Sequence, residues 1–222
     1  MNQIQKSRLL HLQTYEILKN EILSGKLKSG ERLSESRISQ ELGVSRSPVR
    51  EALRMLEQDH LVVLTSSGLI INIMKMSDME EVYQCRIALE PYAANLAANN
   101  LDNKDIINLK SFINKAKESH QKKEYDSLVE FNTGFHDLIV GKCGNSRLIG
   151  ILERLRALTI LKRRAELEFY DQRNNEYLVE HEQILKSLAE KDGEAAEFLM
   201  KKHIENDYNI FKKSYKAKDE IA

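Results

Sequence analysis

The sequence predicts a mainly α chain in two parts: three helices closed by a small β-hairpin, then an all-helical bundle of six to seven helices. Three observations predict it. Apolar residues recur with the 3.6-residue period of helices along most of the chain. Period two is confined to two β-branched runs, Leu61-Val62-Val63-Leu64-Thr65 and Leu69-Ile70-Ile71-Asn72-Ile73, separated by Ser66-Ser67-Gly68. Across 222 residues there are only 9 glycines, 2 prolines and no tryptophan, a composition that favours helices. The helical period resumes beyond Lys75, which sets the expected units at 1–75 and 76–222.

In the first unit a helix over about 9–23, ended by Gly25, is expected to supply Leu12, Tyr15, Ile17, Leu18 and Ile22 to a small core. Ser34 is placed to cap a short helix over about 35–42 whose buried side is Ile38 and Leu42. Gly43 follows where a left-handed residue ends a helix, a conformation glycine adopts at little cost. The next helix begins near Arg46, with Ser45 as N-cap and Pro48 in the first turn, where a missing N–H leaves no helical bond unmade. Val49, Ala52, Leu53 and Leu56 form its apolar stripe, while Arg46 and Arg50 share another face. Two helices across a tight turn, followed by a hairpin wing, read as a helix-turn-helix whose second helix carries arginines to a DNA groove. Arg54 continues that face among Glu51, Glu57 and Gln58, so it and Arg37 read as phosphate contacts or solvated pairs.

In the second part, Ser77 with Glu80 three residues on suggests a capping box, and Val82, Cys85, Ile87, Leu89, Ala93 and Leu96 are the expected apolar positions of a helix to about 99. Further helices are predicted at about 103–122, 124–141, 145–169, 172–191 and 193–217, with Gly141, Gly144 and Gly193 near the breaks. The basic run from Lys212 to Lys218 is expected to fray.

Charge is balanced overall but unevenly spread: residues 1–75 hold 11 Lys and Arg against 8 Asp and Glu, and the remainder 23 against 26. So small an excess gives weak binding through bulk charge, so specific arginines and a second half-site, hence a homodimer, are expected. No apolar run reaches the roughly 18 residues of a membrane span, and no targeting segment is recognisable, which points to a cytoplasmic protein without a membrane partner. Cys85 and Cys143 lack metal or redox spacing and read as buried small apolar residues.

The histidines carry the remaining chemistry. His136 lies four residues after Asn132 on one helical face, and His181 and His203 lie on later helices able to converge with it. Three imidazoles and an amide oxygen suit a divalent metal such as zinc or nickel, although histidines so scattered are more often core or surface residues. Arg86 suits either an acid ligand or a bridge to Glu90 four residues on. Arg163 and Arg164 read as a solvated helix face. The alternative of a metal-dependent enzyme, with the winged part serving localisation, lacks a His-Glu-x-x-His motif, and Asp137 sits about 100° round the helix from His136.

These residues resemble two families. The stretches from Ile22 to Leu33 and from Leu42 to Leu53, with Leu61-Val62 and Gly68, resemble the GntR-type transcriptional regulators. The resemblance implies that Arg46 and Arg50 approach base edges of double-stranded operator DNA, that Ser47 and nearby amides hold phosphate, and that the wing tip near Gly68 reaches the minor groove. His60 stands where that family usually has glycine. Residues 78–215 are similar to the FadR-type effector-binding domain, FCD, through Arg86-Ile87-Ala88-Leu89-Glu90, Phe131-Asn132-Thr133-Gly134-Phe135-His136, Gly144-Asn145, His181-Glu182-Gln183-Ile184-Leu185 and His203-Ile204. That likeness implies a metal on His136, His181 and His203, with Asn132 in place of the family aspartate. It also implies a small organic-acid effector beside the metal, with Arg86 turned towards it, and a repressor released by that acid rather than an enzyme.

Overall fold

The computed structural model describes residues 8–165 and 176–219, and the chain divides after Met74 into two units. The first contains α1 (Arg8–Leu23), α2 (Glu35–Glu41), α3 (Arg46–Gln58) and the antiparallel pair β1 (Val62–Thr65) and β2 (Gly68–Ile71). Ser34 caps α2 as expected, its hydroxyl accepting the Arg37 N–H at 3.4 Å. Gly43, at φ +65°, ends α2 in a Schellman arrangement: its N–H donates to the Gln40 carbonyl and the Val44 N–H to the Ser39 carbonyl. Ser45 occupies the N-cap position of α3 with an extended backbone but makes no capping bond. Ser45 is exposed, and the missing side-chain bond corrects the capping expectation.

The apolar stripe of α3, Val49, Ala52, Leu53 and Leu56, is buried with Tyr15, Leu18 and Ile22 of α1 and with Ile38, Leu61, Val62 and Ile71. Leu12 and Ile17, expected in this core, are exposed, because the buried stripe of α1 follows 15, 18 and 22 and leaves both off its face. Both strands are shorter than their apolar runs, joined by Ser66-Ser67 in the register Val62↔Ile71 to Thr65↔Gly68. On the other side of β2, the chain before α2 adds backbone bonds: Gly30 N–H to Ile71, Ile71 N–H to Glu31 and Leu33 N–H to Leu69.

Leu61 is drawn out of β1 by the end of α3. Its N–H donates to the Leu56 carbonyl at 2.9 Å and the His60 N–H to Glu57 at 3.0 Å, a second Schellman arrangement. His60 therefore sits at the left-handed position, φ +57°, which explains why glycine is usual there.

The second unit contains α4 (Met76–Ala98), α5 (Asn103–Lys122), α6 (Tyr125–Gly141), α7 (Ser146–Ala165), α8 (Glu176–Ala189) and α9 (Gly193–Asp219), six helices among the described residues. Predicted helix over 166–169 and 172–175 lies outside them. The cap of α4 differs from the expected Ser77 and Glu80 pair: Lys75 is the N-cap and Asp78 accepts its N–H at 3.0 Å. The run 212–218, expected to fray, continues α9.

Helix α4 packs against α6, α7, α8 and α9. Its buried face runs Met79, Val82, Tyr83, Arg86, Glu90, Ala93, Ala94 and Ala97, so two charged residues sit on the inward side. Cys85 falls off that face and is exposed, contrary to expectation, while Cys143 is buried. Small residues set two close approaches. A Cβ on Gly134 would lie 2.7 Å from the Phe112 ring, which seats α6 on α5. A Cβ on Gly193 would lie 3.0 Å from the Asn95 carbonyl, which seats the start of α9 on α4.

Replacing His60 with glycine removes the left-handed penalty of about 1 kcal/mol per residue, partly offset by the greater freedom of the unfolded chain. His60→Gly is expected to raise the urea midpoint of the N-terminal unit. A lower midpoint shows that the imidazole contributes more than the strain costs.

Candidate functional site

Helices α6, α8 and α9 each bring one imidazole to a common point inside the bundle. His136, His181 and His203 are all buried. The His181 and His203 Nε2 atoms are 3.1 Å apart, and those of His203 and His136 3.3 Å. Ligand nitrogens about 2.0–2.1 Å from a tetrahedral centre stand about 3.3 Å from one another, so the spacing suits a divalent metal. Asn132, one turn before His136 on α6, is buried with its Oδ1 unpaired. An orphaned buried acceptor costs about 1–3 kcal/mol, which a cation beside it would relieve.

The outward nitrogens of His136 and His203 are fixed by carboxylates. His136 Nδ1 lies 2.9 Å from Glu90 Oε2, and His203 Nδ1 2.7 Å from Glu180 Oε2. Asn206 Nδ2 donates to the other Glu180 oxygen at 2.6 Å. Burial resists ionisation of Glu90, yet the Arg86 charge and the His136 hydrogen bond hold its carboxyl well below the usual range. The ionised carboxylate makes Nδ1 the protonated nitrogen of His136 and leaves its Nε2 lone pair facing the cluster. Phe135 stacks on His181 with ring centroids 4.2 Å apart. Burial above all pushes His136 down to about 4, against the pull of Glu90, and holds His181 well below the ordinary histidine value. Neutral rings are the form that binds metal.

Arg86 is buried and bridges along its own helix, Nε to Glu90 Oε1 at 2.5 Å, with Asp207 3.7 Å from NH1. Lys162 is also buried, donating to the Tyr83 hydroxyl at 2.5 Å and lying 3.7 Å from Asp207. The expected solvated face at Arg163 and Arg164 is overturned. Arg163 is 3% exposed and its NH1 donates to Thr133 Oγ1 at 2.9 Å, while Arg164 is half-buried and paired with Asp126. Asp137 accepts from Arg156 Nε at 2.6 Å, turned aside from His136 by its place on the helix.

In the first unit, Arg46 and Arg50 project from α3 and are exposed. Both are steadied by α2: Arg46 NH2 donates to Ser36 Oγ at 3.2 Å, and Arg50 reaches Glu35 through Nε and NH2 at 3.0–3.3 Å. Hydrogen bonding from Arg50 holds the Glu35 carboxyl below its usual range. Arg54 pairs with Glu51, and Arg37 with Glu31 and Glu41. Ser45 and Ser47 are exposed at the start of α3. At the wing Gly68 has φ +111°, and a Cβ there would meet the Arg32 guanidinium at 3.3 Å.

Glu180 and Arg32 carry no role expected from sequence, Arg163 is expected only on a solvated face, and Glu90 only as a partner for Arg86. Glu180 adjoins His181 in sequence. The uninterrupted buried run from Ala157 to Leu161 just before Arg163 is the signal that α7 is enclosed there.

Residues 10–68 match the model of the bacterial regulatory proteins, gntR family, and residues 81–206 that of the FCD domain. The chain is 31% identical over 206 residues to the HTH-type transcriptional regulator YdhC of Bacillus subtilis (strain 168), covering 92% of each. It is 26% identical over 205 residues to the HTH-type transcriptional repressor RspR of Escherichia coli (strain K12), covering 91% of this chain and 89% of that one. Among solved structures, Escherichia coli McbR/YncC superposes with a TM-score of 0.78 at 24% identity, covering 93% of this chain and 98% of the other. A GntR transcriptional regulator from Rhodococcus sp. RHA1 superposes with a TM-score of 0.70 at 26% identity, covering 90% and 95%.

Because His136 and His181 are depressed in the folded state, the unfolded chain takes up protons first as pH falls below about 6.5. The contribution of His136 to stability is complete above that value and is lost on descent to about 4, and that of His181 falls along the same descent. In chelator-treated protein, the urea midpoint is expected to fall between pH 7 and pH 5, and to fall less in His181→Gln. Equal falls in the two proteins remove His181 from this linkage.

Proposed function

The chain belongs to the gntR family of bacterial regulatory proteins and carries an FCD domain, and from that premise we propose a homodimeric repressor whose hold on operator DNA is released by a small organic acid. That it is a DNA-binding transcriptional regulator follows from the family. The acid, the repression, the metal and the dimer are proposed. The observation that carries this reading is the buried convergence of three imidazoles, with an unpaired buried amide oxygen one turn from His136, in a chain whose other unit presents Arg46 and Arg50 to solvent.

In this reading Arg46 and Arg50 contact guanines in the major groove, each worth about 1–3 kcal/mol of discrimination. Glu35 keeps Arg50 extended until a base edge or phosphate competes for it. Ser45 and Ser47, with backbone amides at the start of α3, take phosphate. Arg37 makes a backbone contact, and the wing around Gly68 enters the minor groove. A dimer supplies the second half-site that a net excess of three positive charges demands. No helix among the described residues is long and apolar enough to cross a membrane, which is consistent with a cytoplasmic regulator.

In the bundle, His136, His181, His203 and Asn132 would hold zinc or nickel, and the metal would supply an electropositive point for the acid. Glu90 and Glu180 fix the His136 and His203 imidazoles so that their inward nitrogens face the cluster. Coupling to DNA requires that the acid prefer one arrangement of the dimer over the other.

The test uses operator fragments recovered by genomic selection, with and without a panel of small organic acids and zinc. An acid that weakens operator binding only in metal-loaded protein supports the reading, and an acid response that survives in His181→Ala with its metal removed defeats it. On the same fragments, Arg50→Ala is expected to lower affinity for operator about tenfold or more and for random DNA much less. Equal losses on both assign Arg50 to the phosphates.

A further inference from the structure

The buried cations of the bundle are unequally matched. Arg86 is engaged by Glu90 and by Asp207, and Lys162 by Tyr83 and by that same Asp207. Glu180 is taken up by His203 and Asn206, and Asp137 by Arg156. Arg163, 3% exposed on α7, has no carboxylate within 4.0 Å among the described residues. Its one hydrogen bond there is to the neutral Thr133 hydroxyl. Of its five N–H donors one meets a neutral acceptor, and the Asp137 carboxylate, held by Arg156, acts on its charge without forming an ion pair with it.

Its position is equally specific. Thr133 sits between Asn132 and His136 on α6, so the bond from Arg163 places the guanidinium beside the histidine cluster. Its charge contributes to holding both His136 and His181 below the ordinary histidine value. A cation next to a prospective metal is unfavourable unless an anion joins them, and a carboxylate accepts both a metal contact and a guanidinium fork.

We propose that Arg163, and not the self-neutralised Arg86, is the residue that receives the carboxylate of the acid. Arg86 acts one step back, keeping Glu90 ionised and His136 oriented. This assignment rests on the effector reading above and names the anchor within it. The ligand class follows from the residues: a small acid with one carboxylate at Arg163, and with the metal, if loaded, at the same carboxylate or an adjacent oxygen.

The experiment titrates acetate, succinate and citrate into zinc-loaded full-length wild type, Arg163→Gln and Arg163→Lys by calorimetry. Metal content and the acid-free melting temperature are measured for each. The expected result is binding of at least one acid by the wild type, a Kd raised roughly 10- to 100-fold in Arg163→Gln, and partial retention in Arg163→Lys. The acid-free melting temperature of Arg163→Gln is expected to stay level or rise, since a buried charge with no carboxylate in contact among the described residues has been removed. A purely structural arginine gives the opposite sign. If Arg163→Gln binds acid as tightly as the wild type, the anchor is elsewhere and the effector reading survives. If Arg163→Gln melts lower and loses metal, the arginine is structural and the proposal is overturned. If none of the three acids binds the wild type, this proposal falls together with the reading it rests on.

Discussion

The pair formed by Arg86 and Glu90 inside α4 is the constraint on which the bundle interior depends. Two opposite charges one turn apart on a buried face lose their hydration together, and their mutual attraction with close hydrogen bonding must replace it. The second Glu90 oxygen is then available to His136 Nδ1, which fixes the ring and its tautomer. Removing Arg86 would leave Glu90 enclosed with a neutral imidazole for company, and the carboxyl would take up a proton. His136 would then lose the acceptor that turns its Nε2 inward. The orientation of a site on α6, α8 and α9 thus depends on a charge pair on α4, which touches all three helices.

Much of the first unit was legible because its instructions are local. Gly43 reports a left-handed helix end, Ser34 a cap, and Val49, Ala52, Leu53 and Leu56 a stripe whose spacing needs no knowledge of what it packs against. Arg46 and Arg50 were legible for the same reason, one helical turn fixing their common face. Errors arose where a neighbour decides. Ser45 looks like a cap, but nothing in sequence reports whether its hydroxyl turns back to the helix. Leu12 and Ile17 are as apolar as Leu18, yet only the approach angle of α3 chooses the stripe of α1.

In the bundle the three histidines and Asn132 were legible as a set through resemblance, while the charges around them were not. Arg163 and Arg164 are adjacent and chemically identical, yet one is enclosed against Thr133 and the other pairs with Asp126 near the surface. A rotation of about 100° between consecutive residues decides this, and it has meaning only once the faces of α7 are assigned. Glu180 has the same character: beside His181 in sequence, it serves His203 on a different helix.

The amide at position 132 gives this charge arrangement its direction. On the proposed reading the four ligand groups are all neutral, so a dication would rely on Glu90 and Glu180 behind the imidazoles for compensation, with Arg163 adding a further positive charge nearby. Such a site holds metal less firmly than one with a carboxylate in contact with the ion. An anionic ligand supplies the missing negative charge to the metal and to Arg163 at once. Acid and metal would therefore each raise the affinity of the other by the same factor, as linkage between two sites requires. An aspartate at this place would already satisfy part of that demand, so the substitution of an amide makes the site more dependent on its acid ligand, a property suited to sensing one.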